Sequence, residues 1–212
     1  MTSLTYTSSL PNADPQYVVS ALTTHASSPK MMPEWSRAAP FQKLAEAYIL
    51  IERAGGKRFT LRLHKKAHDK IVASRDPART MSRRINHEFE KRGLRVPYYS
   101  FCLEVTADDR NELHVHGAIL IGDVGLDVVK DALRAAGGRV EGRAGSRQVK
   151  IDDFKDEQGG PAGWANYTKK SVTRTRRVIQ HDRVIYIPQK LGRLCKMVWE
   201  QRRGQRIGYY IA

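Results

Sequence analysis

The amino-acid sequence predicts an α+β fold in which an antiparallel sheet is backed by helices. Two kinds of period carry that prediction: apolar residues recurring at helical spacing in some segments, and strict apolar–polar alternation in others. Their order is the third observation. A helix is followed by strand, helix, hairpin, helix, strand and helix, which suits one mixed domain.

The elements follow in turn. Residues 1–40 hold Pro11, Pro15, Pro29, Pro33 and Pro40 among many Ser, Thr and Ala, and are expected to form an arm, mobile or draped on a domain spanning 41–212. Phe41, Leu44, Ala45, Tyr48 and Ile49 predict a helix to Arg53, broken by Gly55 and Gly56. Phe59, Leu61 and Leu63 alternate with Thr60 and Arg62, as in a half-buried strand. Asp76 and Pro77 suit the N-cap and first turn of a helix running to Gly93. Strands near 97–105 and 113–121, joined by a polar turn at 106–112, predict a hairpin. Leu126, Val129 and Leu133 predict a helix ended by Gly137 and Gly138, and Gln148 to Ile151 a short strand. A helix over 161–171, a strand over 178–187 and a basic helix over 190–203 complete the chain, without internal repeats.

With 212 residues, the chain is long enough for one good core. It shows no apolar run of bilayer length and no basic-then-apolar leader, so a cytoplasmic protein is expected, with no membrane partner. Cys102 and Cys195 lie far apart and outside any CxxC pattern, which argues against a disulfide framework or a cysteine zinc finger. The 37 Lys and Arg outnumber the 22 Asp and Glu, giving a net charge of +15 and favouring a polyanionic partner. Residues 1–40 are neutral, with Lys30 and Arg37 against Asp14 and Glu34, so the excess belongs to the domain. It gathers in 57–95, with 13 basic and 4 acidic residues, and in 168–212, with 12 and 2. Arg58, Arg62, Lys65, Lys66, Lys169, Arg174, Arg176 and Arg177 are the candidate contacts to a nucleic-acid backbone. A merely solvated basic surface accounts for the charge equally well.

Alternation along the strand from Leu113 places His114 and His116 on one face, about 7 Å apart, where two imidazoles can approach one ion. In the partner strand Phe101, Leu103 and Val105 point one way and Cys102 and Glu104 the other, which brings Glu104 to the histidine face. Two imidazoles and a carboxylate with open positions suit catalytic Mg²⁺ or Mn²⁺ better than a closed structural zinc site. Other sets remain open: Cys102 with the histidines as a zinc site, or Asp108, Asp109 or Glu112 as the carboxylate. A plain polar sheet face is a further, lesser reading of the histidines. Downstream, Tyr167 and Lys170 lie at i and i+3 on one helix face, a phenol beside a cation. Of the 9 Tyr, only Tyr167 has Lys or Arg three positions on.

A strand beginning Phe59-Thr60-Leu61, then His114-Val115-His116, then Tyr167-Thr168-Lys169-Lys170 resembles the HUH endonucleases, in particular rolling-circle replication initiators (Rep type) with a single catalytic tyrosine. The resemblance spans 59–170, about half the chain. It implies a ferredoxin-like or RNA-recognition-like core, a divalent ion held by His114, His116 and Glu104, Tyr167 as nucleophile and Lys170 as its helper. The activity implied is nicking and rejoining of single-stranded or hairpin DNA at an origin, through a 5′-phosphotyrosyl intermediate, in a bacterial cell and on behalf of a plasmid, phage or transposon. No GxxxxGK follows, so a separate host helicase would be the partner. The interval from Glu104 to His114 is longer than in small viral members of the group. The histidines precede the tyrosine, the reverse of conjugative relaxases, which leaves an initiator or a single-tyrosine transposase.

Readings from other classes are a noncatalytic RNA-binding domain of similar topology and a phosphodiesterase that uses water. Trp164 or Tyr98 could stack bases beside the sheet, and Tyr186 is the alternative nucleophile.

Overall fold

A computed structural model describes residues 32–106 and 112–211, without the side chains of 143–144 and 205–211. The chain folds into an α+β domain around a five-stranded sheet of order β4-β1-β3-β2-β5, in which every neighbouring pair is antiparallel. The strands are β1 (Lys57–Arg62), β2 (Tyr99–Val105), β3 (Leu113–Ile119), β4 (Val149–Asp152) and β5 (Ile185–Tyr186). Strand β3 is central and paired on both sides: Val115 faces Leu61 on β1 and Leu103 on β2, and His116 faces Thr60 and Cys102.

This register gives the sheet two different faces. Tyr99, Phe101, Leu103, Phe59, Leu61 and Val115 share one face and are all buried. It packs under α3 (Pro77–Glu90) and α4 (Leu126–Ala136), whose inward residues include Met81, Ile85, Phe89, Val129 and Leu133. Their burial on folding is the main favourable term, about 1.5–3 kcal/mol for each large apolar side chain. Tyr99 tethers α3 by donating its hydroxyl to Asn86 Oδ1 at 2.6 Å.

The opposite face carries Thr60, Ser100, Cys102, Glu104, His114, His116 and Ala118. Here α1 (Pro40–Arg53) and α6 (Gly160–Lys169) pack side by side against the sheet. The small residues Ser100, Cys102 and Ala118 allow the helices to come close. Tyr48 of α1, fully buried, donates to the backbone carbonyl of His116 at 3.0 Å.

Local chemistry accounts for the helix ends. Pro40 opens α1, and Gln42 Oε1 accepts from the Ala39 amide at 2.7 Å. Asp76 caps α3 by accepting from the Arg79 amide at 2.9 Å, with Pro77 in the first turn as the sequence predicts. Gly55, at φ +81°, makes the turn from α1 into β1.

Several expectations are corrected. The strand expected over 178–187 is mostly helix and loop: α7 (Val172–Ile179) turns Thr175 and Ile179 inward, and the strand is reduced to Ile185–Tyr186, paired with β2. The Val-Ile-rich pattern there resembles a strand locally, but the buried positions 175 and 179 have helical spacing. The helix expected over 161–171 ends at Lys169, and Ser171 starts α7. Two short helices lack a strong apolar period: α2 (Lys65–Val72), which buries only Ala67 and Ile71, and α5 (Gly142–Ser146). The last helix, α8 (Gln189–Ile211), extends past the expected end at 203.

Most of the arm proposed for residues 1–40 lies outside the described residues. Residues 33–37 are docked on α8. Trp35 meets Trp199 edge to face at 5.7 Å, and Trp199 Nε1 donates to the Pro33 carbonyl at 2.8 Å. Arg202 of α8 in turn pairs with the buried Glu46 of α1. Among the described residues no helix is long and apolar enough to cross a membrane.

Gly117 sits between Phe59 and Phe101 in the sheet register. A Cβ there would lie 2.4 Å from Phe59 Cε1 and 2.5 Å from the Ser100 carbonyl oxygen. Gly117→Ala is therefore expected to destabilise the domain by roughly 1–3 kcal/mol, measured as a lower denaturation midpoint with an unchanged m-value. An unaltered midpoint would show that the strand has slack at this position.

Candidate active site

The site lies on the polar face of β3, where the sheet meets α6. His116, buried, is held at both ring nitrogens. Nδ1 is 3.1 Å from Thr60 Oγ1 on β1, and Nε2 is 2.7 Å from Glu104 Oε2 on β2. His114 is two residues away on the same face, its ring centre 6.0 Å from that of His116 and its Nε2 4.0 Å from Glu112 Oε2. Glu104 and His114 are direct cross-strand partners, so the carboxylate does reach the histidine face.

Glu104 is a buried acid with charged and polar company. Its Oε1 accepts from Ser171 Oγ at 2.9 Å and lies 3.6 Å from Lys170 Nζ. Burial pushes the carboxyl up, but His116, Ser171 and Lys170 outweigh it and hold the group below its ordinary value. Oε2 is buried yet lacks a well-aligned hydrogen-bond donor, despite its short approach to His116.

Helix α6 brings Trp164 and Tyr167, one turn apart, over this face. Their rings stack at 5.2 Å with 5° between planes, and both meet His116 edge-on, at 5.3 and 5.9 Å. Lys170 Nζ lies 3.6 Å from the Tyr167 ring centre. Burial disfavours the ammonium, but Tyr167 and Glu104 outweigh it and raise the Lys170 value. The phenol and cation expected on one helix face are together, and Lys170 also bridges toward the carboxylate.

The donor types and their common face suit a divalent cation. Two ligands at right angles on an ion with bonds near 2.1 Å stand roughly 3 Å apart, close to the Glu104–His116 separation of 2.7 Å. Among the described residues no three His, Cys, Asp or Glu side chains converge as a metal-holding group, and His114 Nε2 is 4.0 Å from Glu112 Oε2. For His114, His116 and Glu104 to hold one ion, their side chains would have to converge further. Cys102 fits the set less well. Its thiol donates toward the Leu103 and Thr168 carbonyls, and burial pushes it up to about 12. Asp108 and Asp109 lie outside the described residues.

Beside Tyr167 a cleft of about 460 Å³ opens between β1, β4 and α6, lined by Arg58, Lys150, Asp152, Gln158, Trp164 and Tyr167 among others. The structure revises the role of Arg58. Rather than an open surface cation, it is 8% exposed, donating to Gln158 Oε1 at 2.9 Å and stacked 5.1 Å over Trp164. Arg62, Lys66, Lys169, Arg176 and Arg177 are exposed, Arg174 is half-buried, and Lys65 is exposed and paired with Asp69 at 2.8 Å. Tyr186 lies on the wrong face for a substitute nucleophile. It pairs with Phe101 and stacks on it at 5.4 Å, on the side away from the histidines.

Thr60 and Ser171, which orient His116 and Glu104, were not singled out from sequence. The cross-strand register identifies Thr60, whereas Ser171 has only its place after the YTKK run. Comparison of the chain with family models, with curated proteins and with solved structures gives no match.

Because Glu104 is depressed in the folded state, its stabilising contribution is complete above its unfolded value and is lost as pH falls through the folded one. Denaturation of wild type and Glu104→Gln should show a stability gap at neutral pH that closes on acidification below about pH 4.5. A gap independent of pH would mean that the carboxylate's charge is not what the site stabilises.

Proposed function

We propose that this chain is a single-tyrosine endonuclease of the HUH type that nicks and rejoins single-stranded DNA, as an initiator of rolling-circle replication with a separate helicase as partner. The observation that carries this reading is the juxtaposition of Tyr167 with His116, together with Lys170 between the phenol ring and Glu104. Residues from three separate stretches of sequence meet there as a nucleophile, a cation and candidate metal ligands. The five-stranded antiparallel sheet with the histidines on its central strand is compatible with a ferredoxin-like core.

His114, His116 and Glu104 would hold Mg²⁺ or Mn²⁺, which when bound polarises the scissile phosphate and offsets its developing charge. Thr60 fixes the His116 ring from behind, and Ser171 and Lys170 keep the Glu104 carboxylate ionised and oriented. Tyr167, 46% exposed, can reach a phosphate entering from the cleft. Attack by its hydroxyl oxygen forms the phosphotyrosyl bond and breaks the bond to the 3′-oxygen. The phenol proton leaves to solvent and the departing 3′-oxygen takes one up. Lys170 supplies positive charge next to the reacting groups. Because the phosphotyrosyl bond keeps the energy of the broken diester, a 3′-hydroxyl can reverse the step, and one site both cuts and joins.

The sheet aromatics argue against a noncatalytic RNA-binding module. Such a module needs exposed rings on its central strands, whereas Phe59 and Phe101 are buried beneath α3 and α4.

Incubation with single-stranded oligonucleotides should yield a covalent protein–DNA adduct in the wild type. Tyr167→Phe should yield none while binding DNA within about twofold of wild-type affinity, since only the nucleophile is lost. An adduct in the Phe variant would assign the chemistry to another residue.

Chelation should stop cleavage, with Mg²⁺ or Mn²⁺ restoring it. His114→Ala and His116→Ala should each fall below about 1% of wild-type activity, whereas Val115→Ala, whose side chain faces the core, should chiefly lose stability. Full cleavage by the double histidine variant would sink the metal assignment.

A further inference from the structure

Tyr167 stands on the last turn of α6 with nearly half its surface in solvent, a position where a tyrosine ring is free to change rotamer. Its ring is nevertheless held. Trp164, one turn earlier on the same helix face, stacks on it in a nearly parallel plane. The indole is fixed in turn by β3: Nε1 donates to the Gly117 carbonyl at 3.1 Å, immediately after His116, and the ring packs edge-on against His116 itself. Arg58, held by Gln158 at 2.9 Å and accompanied by Asp152 at 3.8 Å, lies over the indole at 5.1 Å.

We infer that Trp164 is the positioning residue for Tyr167, transmitting the placement of the histidine strand to the phenol ring so that its hydroxyl is aimed at a phosphate bound beside His116. This rests on the transesterase reading above. Tyr167 and Arg58 both lie against the indole, so a nucleobase stacking on Trp164 would compete with them. In-line attack tolerates little error, and a misplacement of about 1 Å costs on the order of 100-fold in rate. The effect of Trp164 therefore belongs in the chemical step and not in DNA affinity.

Two variants separate the contributions. Trp164→Phe keeps an aromatic face for Tyr167 but loses the bond to Gly117, and Trp164→Leu loses both. Single-turnover cleavage at saturating single-stranded DNA should fall about tenfold for Trp164→Phe and about 100-fold for Trp164→Leu. Affinity, measured under chelation, should stay within about twofold of wild type. A rate unchanged at saturation, or an affinity that falls while the rate holds, would overturn the inference, the latter in favour of base stacking. Tyrosine-labelled protein gives a readout that requires no activity. The Tyr167 ring protons, assigned by their loss in Tyr167→Phe, should be shifted upfield by the indole in wild type and return toward ordinary positions in Trp164→Leu. Unmoved signals would show that the stack does not hold Tyr167. If the wild type forms no adduct, the transesterase reading fails and the ring-proton shifts alone decide whether Trp164 fixes Tyr167. If Trp164→Leu loses its folded circular dichroism, the cleavage rate and affinity of Trp164→Phe, with the upfield position of the Tyr167 signals in wild type, decide the inference.

Discussion

The pairing of β3 on both its edges is the constraint on which the remaining structure depends. With β1 on one side and β2 on the other, the strand cannot shift by one residue without sending Val115 to the polar face and His114 and His116 into the core. The hydrophobic energy of one face thus fixes the orientation of the other. Burial of Phe59, Leu61, Phe101, Leu103 and Val115 beneath α3 and α4 holds two imidazoles and a carboxylate in a common plane of the sheet, where they have no apolar reason to be.

That face must then accommodate a buried acid. A carboxylate at the position of Glu104 would be costly without partners, and the fold supplies them from three directions: His116 from the adjacent strand, Ser171 from the start of α7 and Lys170 from the end of α6. The break between α6 and α7 falls at these two residues, so the end of one helix and the start of the next converge on one oxygen. The same break presents Lys170 to the Tyr167 ring. Stability and the proposed chemistry share these contacts, as expected of a site whose groups are held by packing before any ligand arrives.

Helix α6 is bound to the sheet largely through polar and aromatic contacts rather than through an apolar stripe. Only Gly160, Ala165 and Thr168 are buried along it, while Trp164 reaches the Gly117 carbonyl. Side-by-side packing with α1 completes its support, and α1 is itself backed by α8 through Glu46 and Arg202. The last helix and residues 33–37 therefore buttress the layer that carries Tyr167.

By itself the sequence determined the α+β class, the hairpin of β2 and β3, the face shared by His114, His116 and Glu104, and the proximity of Tyr167 to Lys170. Each follows from a local period, two residues in a strand or three to four in a helix, and local periods survive whatever the rest of the chain does. Tertiary structure alone decided what lies across a gap in sequence. Thr60 behind His116, Ser171 on Glu104, Arg58 buried over Trp164 instead of spread on the surface, and Tyr186 turned to the far side of the sheet all depend on register or helix docking between distant segments. The misread 178–187 segment belongs with them. Its Val and Ile residues suit a strand as well as a helix, and the choice was made by where α7 could bury Thr175 and Ile179 against β2, a contact between residues some seventy positions apart.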